Sequence, residues 1–366
     1  MRKCKILHRY ILREILLPFF LGFCVFTFVL LMDRFFDLVD LLIGKGLGFI
    51  FVSKIFLSSL PFIIALTIPM GVLVGIISGF GRLSGDSEIL ALRASGINPV
   101  ILLPPVLLFS LFITLSMSLF NSWVLPFANY RSKELLYRAS YKRPTLRIRE
   151  RTFVHLYKGY TLWAGRIDHT RNELEDVRIY ERKKGDIPRI ITAKKGKMKV
   201  EEENLYLFLE DGEIHELEKS SPELYRRLHF TRFSIKIPLG PSYKTIKPAR
   251  TKRELSVPEL IKRLKGLKKR KVRWAYLVEL NKRFSIPFAA IVFVFTGIPA
   301  GLMARRGGLG MGLSLSLLFF VIYYILLIGG EELGTREILH PGIGIWWPNL
   351  FLLLVSIPLL RKVIRS

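Results

Sequence analysis

Long uncharged apolar runs occupy both ends of the chain, and short runs of alternating polar and apolar residues occupy its middle. Ile15 to Met32, Ile55 to Phe80 and Val100 to Pro126 come first; Phe284 to Ala304, Leu309 to Gly329 and Trp346 to Leu360 come last. Most approach or exceed the roughly 20 apolar residues that cross a bilayer as a helix, so the pattern predicts an α-helical polytopic membrane protein with six transmembrane helices, three on each side of an insert. The second run carries Pro61, Pro69, Gly71, Gly75 and Gly79. Such residues are tolerated in membrane helices because neighbours re-satisfy the backbone and small side chains allow close packing.

The insert reads as all-β. Arg151 to Tyr157, Tyr160 to Asp168, Asp176 to Tyr180, Arg189 to Ala193, Leu205 to Glu210 and Leu228 to Pro238 are short and rich in β-branched or aromatic residues. Their spacing predicts a periplasmic jelly-roll-like domain between spans three and four, with Asp211-Gly212 as a hairpin turn and Phe153, Trp163, Leu207 and Phe230 facing its core. Ser256-Val-Pro-Glu-Leu opens a short helix that leads into a basic segment, Lys262 to Trp274, predicted to lie along lipid headgroups. The expected organisation is therefore a transmembrane half over 1–126, the β domain and basic connector over 127–273, and a second transmembrane half over 274–366.

One polar stretch between the second and third spans stands apart: Gly81 to Pro99, GRLSGDSEILALRASGINP. Ser84 or Asp86 can cap a short helix that Gly96 and Asn98-Pro99 then end. On it Glu88, Ala91 and Ser95 fall at i, i+3 and i+7, so one carboxylate projects between two small side chains. Ile89 and Leu92 point toward whatever the helix lies on. An ordinary membrane-surface loop and a coupling helix seated in a groove of a soluble partner both fit these residues.

Charge adds orientation and excludes several functions. Of 56 lysines and arginines, 40 lie between Phe127 and Arg283, against 20 of the 29 acids. Beside membrane spans such an excess suits anionic headgroups or phosphorylated glycans rather than nucleic acid. The N-terminal segment, the 81–99 loop, Arg305-Arg306 and the C-terminal tail hold twelve basic residues, and the short loops of the other side hold four, which predicts cytoplasmic termini and a β domain on the far side. Cys4 and Cys24 offer neither a disulfide framework nor a metal site. No P-loop, nucleophile elbow or H-E-x-x-H motif occurs, the six histidines lack ligand spacing, and no cofactor is implied. Few ionisable residues fall deep inside the runs, so a proton-coupled carrier is disfavoured.

Several longer motifs carry a resemblance: LPFIIALTIPMGVLVG at Leu60 to Gly75, the Gly81 to Pro99 stretch with its D-S-E-I-x-A-L-R-A-S-G core, and ELNKRFSIPFAAIVF at Glu279 to Phe293. GIPAGLMARRGG at Gly297 to Gly308 and WWPN at Trp346 to Asn349 add to it. In this order they resemble the LptF/LptG (YjgP/YjgQ) family of lipopolysaccharide-export permeases over nearly the whole chain, and the RYILRE opening and the IYY of the fifth span look more like the LptF side. The resemblance implies an inner-membrane ABC transporter permease, not itself an enzyme. Its implied partners are a cytoplasmic LptB-like ATPase dimer, a paralogous six-span permease and a single-span LptC-like bridge protein that receives the lipopolysaccharide. It also implies ATPase coupling through Asp86, Glu88, Ala91, Arg93 and Ser95, and a lipid cavity lined by the first and fifth spans, where Arg34 would meet phosphate; Phe26, Phe28, Tyr323 and Tyr324 fit either acyl chains in that cavity or packing between helices. From the residues alone, an exporter of another envelope lipid or lipoprotein, or a membrane scaffold binding anionic envelope polymers, remain open.

Overall fold

The computed structural model describes residues 2–142, 144–156, 159–182, 189–201, 204–217, 225–238, 248–304 and 308–365. Arg305-Arg306 lie outside the described residues. The chain forms two compact units: Met1–Arg34, Ser59–Tyr130 and Arg250–Ser366 make a helical unit, and Phe35–Ser58 with Arg131–Ala249 make the other.

Helix α1 (Arg2–Val39) runs into a π turn at Asp40–Gly44, and α2 (Phe49–Gly85) leads through two residues into the short α3 (Glu88–Ala94). A 3-10 turn at Pro99–Leu102 starts α4 (Leu103–Leu119), which continues through a second π turn, Phe120–Val124, into α5 (Leu125–Lys142). After the insert come α6 (Val257–Gly266), α7 (Arg270–Met303), α8 (Gly308–Thr335) and α9 (Pro341–Arg365). Six helices among the described residues are long and apolar enough to cross a membrane, as the apolar runs predict. Several extend well past those runs. Lys262 to Trp274 is divided between two helices: Gly266 ends α6, and Arg270–Trp274 already opens α7. Lysine and arginine are good helix formers, so the cationic half of the segment simply propagates α7. The helical unit also resumes at Arg250, ahead of position 274, where capping boxes at Thr251/Glu254 and Ser256/Glu259 start successive helical turns.

Spans α2 and α7 form the centre of the helical unit; 67% of each one's most apolar window is buried, against 22% for α1 and α8. Glycines set these crossings. A Cβ at Gly71 would stand 3.1 Å from the Phe19 carbonyl oxygen, and one at Gly75 only 2.8 Å from that of Ile15, so α1 can lie backbone to backbone on α2. Gly301 of α7 meets the Ile77 carbonyl of α2 as closely, at 2.7 Å. The motifs at Glu279 to Phe293 and Trp346 to Asn349 come together across α7 and α9: Trp346 Nε1 donates to Asn281 Oδ1 at 3.1 Å, and Asn349 Nδ2 to Ser285 Oγ at 2.7 Å.

Among the described residues of the other unit, six antiparallel strands follow one another across a single sheet. They are β1 (Val154–His155), β2 (Tyr160–Asp168), β3 (Glu173–Glu181), β4 (Arg189–Glu201), β5 (Asn204–Leu217) and β6 (Tyr225–Pro238). Their buried apolar positions step by two until one transverse row and by three across it: Ala164 to Ile167, Val177 to Leu174, Ala193 to Gly196 and Gly212 to Leu209. An odd step in a period-two strand turns the side chains to the other face, so the backbone must turn as well. Asp176 and Asp211, both at φ 51° and both in that row, supply the turn; aspartate is among the few non-glycine residues that adopt this region readily. Asp211-Gly212 is therefore a crease inside β5 and not a hairpin turn. Gly212 is fixed by space, because a Cβ there would fall 2.1 Å from the Thr192 carbonyl. Leu207 and Phe230 join the core as expected, but Phe153 is exposed and Trp163 lies on the outer face under the Arg178 guanidinium, 4.9 Å from the ring centroid. Beside the crease Arg166, Glu175, Lys195, Glu210 and Arg232 alternate in sign from strand to strand, a pattern that favours this register.

Candidate functional site

The Gly81 to Pro99 stretch does fold as a short helix, but neither expected cap starts it. Ser87, at φ 59° and without a side-chain hydrogen bond, precedes α3. Ser84 instead donates to the Leu302 carbonyl at 3.0 Å, and Asp86 pairs with Arg82 at 3.0 Å. The other end matches the sequence. Gly96 takes φ 75°, and the Gly96→Arg93 and Ile97→Leu92 backbone bonds, both 2.9 Å, close a Schellman motif. Asn98 then caps the following 3-10 turn through the Val100 amide at 3.0 Å.

Helix α3 is amphipathic on the scale of two turns. Ile89 is buried in a cluster with Ile11, Ile15, Phe80 and Leu83, and Leu92 packs against it. Leu90, 66% exposed, faces away together with Ala91, Ala94 and Ser95. Glu88 is not the lone projecting carboxylate that its spacing suggests. The Tyr10 hydroxyl donates to both of its oxygens at 2.8 Å. The same hydroxyl accepts from Arg82 Nη2 at 2.8 Å, while Arg82 Nε meets Glu14 at 2.7 Å. One guanidinium thus serves carboxylates from three helices or their junctions: Glu14 of α1, Asp86 of the turn, and Glu88 of α3 at 3.8 Å. Arg93 is half-buried on α3.

The residues expected at the lipid cavity separate into two groups. Arg34 and Phe28 are exposed on α1. Phe26 is buried with Met70 and Val74 of α2, and Tyr323 is 3% exposed, edge-on to Phe293 with its hydroxyl 3.4 Å from the Ser285 carbonyl. Both of these pack the unit's interior and present nothing outward. Tyr324 is half-buried and stacked on Phe320 at 5.5 Å.

A second polar centre was not singled out in the sequence. Arg283, just ahead of the fourth apolar run, is 4% exposed inside α7. Its guanidinium donates to the carbonyls of Asn121 at 3.1 Å and Ser122 at 3.5 Å, and to that of Arg253 at 3.4 Å. The π turn supplies the first two acceptors, because its shifted bonding leaves carbonyls open to another donor. The signal available in the sequence was Arg283 itself, a cation at the edge of an apolar run.

The outer face of the β unit carries an open groove of about 1250 Å³ lined by Arg178, Tyr180, Thr192, Lys194, Glu213 and His229 among others. Two of its carboxylates have local partners: Glu181 pairs with Arg189, and Glu213 with Arg227, whose hydrogen bond holds the Glu213 carboxyl below its ordinary range. The apolar face opposite is a filled core, with Leu162, Ile179, Ile191 and Ile237 wholly buried.

Six membrane-length helices among the described residues, interrupted by an antiparallel β insert and with a two-turn amphipathic helix between the second and third, define a multi-pass membrane protein. Residues 9–362 match the family described as lipopolysaccharide export system permease LptF/LptG, and the chain belongs to that family. The family is defined jointly for the two paralogues. Against curated proteins the chain returns no match.

Proposed function

We propose that the chain is one of two membrane subunits of an ATP-driven lipopolysaccharide exporter of the inner membrane, with both termini and α3 in the cytoplasm and the β insert in the periplasm. A separate ATPase dimer engages α3 through Asp86, Glu88, Ala91, Arg93 and Ser95, and a paralogous permease completes the lipid cavity. The lipid then passes to a single-span bridge protein. Carrying this reading is α3 with its surroundings: it buries Ile89 and exposes Leu90, and its Glu88 stands beside Asp86 of the turn and Glu14 of α1 around one arginine, a surface suited to a partner with an apolar groove and a basic rim. The low burial of α1 and α8 supports placing the cavity and the second permease against those spans. Arg34 and Phe28 are the proposed lipid contacts on the first span, and Tyr324 on the fifth.

The test is a mild-detergent pull-down of tagged protein from native membranes, comparing wild type with Glu88→Lys by quantitative mass spectrometry. A soluble ATPase and a second six-span protein should accompany wild type. Reversing a charge at the contact should lower ATPase recovery about tenfold. If wild type brings down neither protein while other membrane complexes survive, the transporter reading fails.

A further inference from the structure

We propose that Tyr10 is the joint through which movement of α3 is delivered to the first span. The proposal rests on the coupling role of α3 given above and concerns how its displacement travels onward. Helix α3 follows α2 through the Asp86-Ser87 turn, and Ser87 holds a left-handed conformation that a non-glycine residue adopts at some cost. Such a junction can swing without disturbing either helix. Ile89 packs among Phe80, Leu102, Ile298 and Leu302; what ties α3 to α1 is the Tyr10 hydroxyl seated on the Glu88 carboxylate.

The geometry makes Tyr10 a shared element rather than a simple pair. Its oxygen accepts from Arg82 of α2 while its proton goes to Glu88 of α3. Glu14, one helical turn further along the same face of α1, meets Nε of that guanidinium. From there α1 lies along the glycines of α2, with Gly79, Gly75 and Gly71 meeting Glu14, Ile15 and Phe19 in turn. The contact therefore runs unbroken from the coupling helix into the first span. Low burial of α1 leaves that span able to move without opening the α2–α7 core. If the tie were absent, α3 would pivot about Ser87 and the span would stay still.

Tyr10→Phe removes the hydroxyl and keeps the ring. In nanodiscs holding lipopolysaccharide, the full chain with its co-purified partners should hydrolyse ATP within about twofold of wild type, while lipid released per ATP falls about tenfold, the scale of one hydrogen bond to a charged group. An unchanged ratio, or a proportional loss of both activities, overturns the proposal. A second measurement needs no partner: amide exchange over 88–95 in the full chain alone should speed up about tenfold in Tyr10→Phe and less in Glu14→Gln, which loosens only Arg82. Equal exchange in Tyr10→Phe and wild type rejects the joint and leaves the transport reading standing. Should the wild-type complex hydrolyse ATP without moving lipid, the transport reading fails instead, and the exchange result still decides the joint.

Discussion

Arg82 and Arg283 both sit where segments of the helical unit meet, yet their surroundings are opposite. Arg82 has a side chain 43% exposed and is met by carboxylates of Glu14 and Asp86, with Glu88 near. Arg283 is 4% exposed and is met mainly by carbonyls, with Glu279 no nearer than 3.7 Å. Carboxylate partners at a wet surface can be exchanged for another protein's charges at little cost. Backbone carbonyls in a dry interior cannot leave, and they hold the cation as a permanent clamp. The contrast makes the Arg82 partners exchangeable and the Arg283 partners fixed, the latter joining the π turn after α4 to the returning chain at Arg253.

The largest expected effect lies at the clamp. Arg283→Ala strands the Asn121, Ser122 and Arg253 carbonyls and should cost about 3 kcal/mol of stability, largely independent of salt, measured by thermal unfolding in detergent. Insensitivity of the melting temperature to this change would remove the distinction between the two arginines. Arg82→Ala should cost only about 1 kcal/mol in low salt and less as ionic strength rises, so the same melts repeated across a salt series separate the two sites.

The smallest effect concerns the return connection. Hydrogen bonds from the Ser256 amide and hydroxyl, both 2.8 Å, hold the Glu259 carboxyl below its usual 4.5. A carboxyl lowered by folding contributes stability that is present above its unfolded value and lost as pH falls through the folded one. Unfolding of wild type should therefore lose this contribution on acidification below 4.5. Ser256→Ala removes the hydroxyl bond and keeps the amide one, so it should cost about 1 kcal/mol at neutral pH and flatten the acid limb only in part, while Glu259→Gln removes this contribution to the limb; a parallel acid limb in wild type and Glu259→Gln would show that this carboxyl does not set it.

Much of this was readable from the chain. Each span is a property of its own run of side chains, and so are the two-turn length of α3 and its stop at Gly96. The crease also left a signal: in RIITAKKGKMKVE the apolar positions move from Ile191 and Ala193 to Gly196, Met198 and Val200, an odd step within one strand. Asp-Gly suits a turn and a crease alike because the dipeptide favours left-handed backbone in both settings, and only pairing on either side of it distinguishes them. Phe26 and Tyr323 could not be assigned to cavity or core because an apolar run does not say which face meets a neighbouring helix.

Hydropathy and period by themselves determined that six helices flank an all-β insert, since the transfer of a segment out of water depends on that segment's own residues. Tertiary structure alone decided the partners. Tyr10 and Glu88 stand 78 positions apart, and Arg283 lies 162 from Asn121. Their contacts exist because helix crossings bring particular turns within hydrogen-bond reach, and that geometry belongs to pairs of segments, which no single run of sequence encodes.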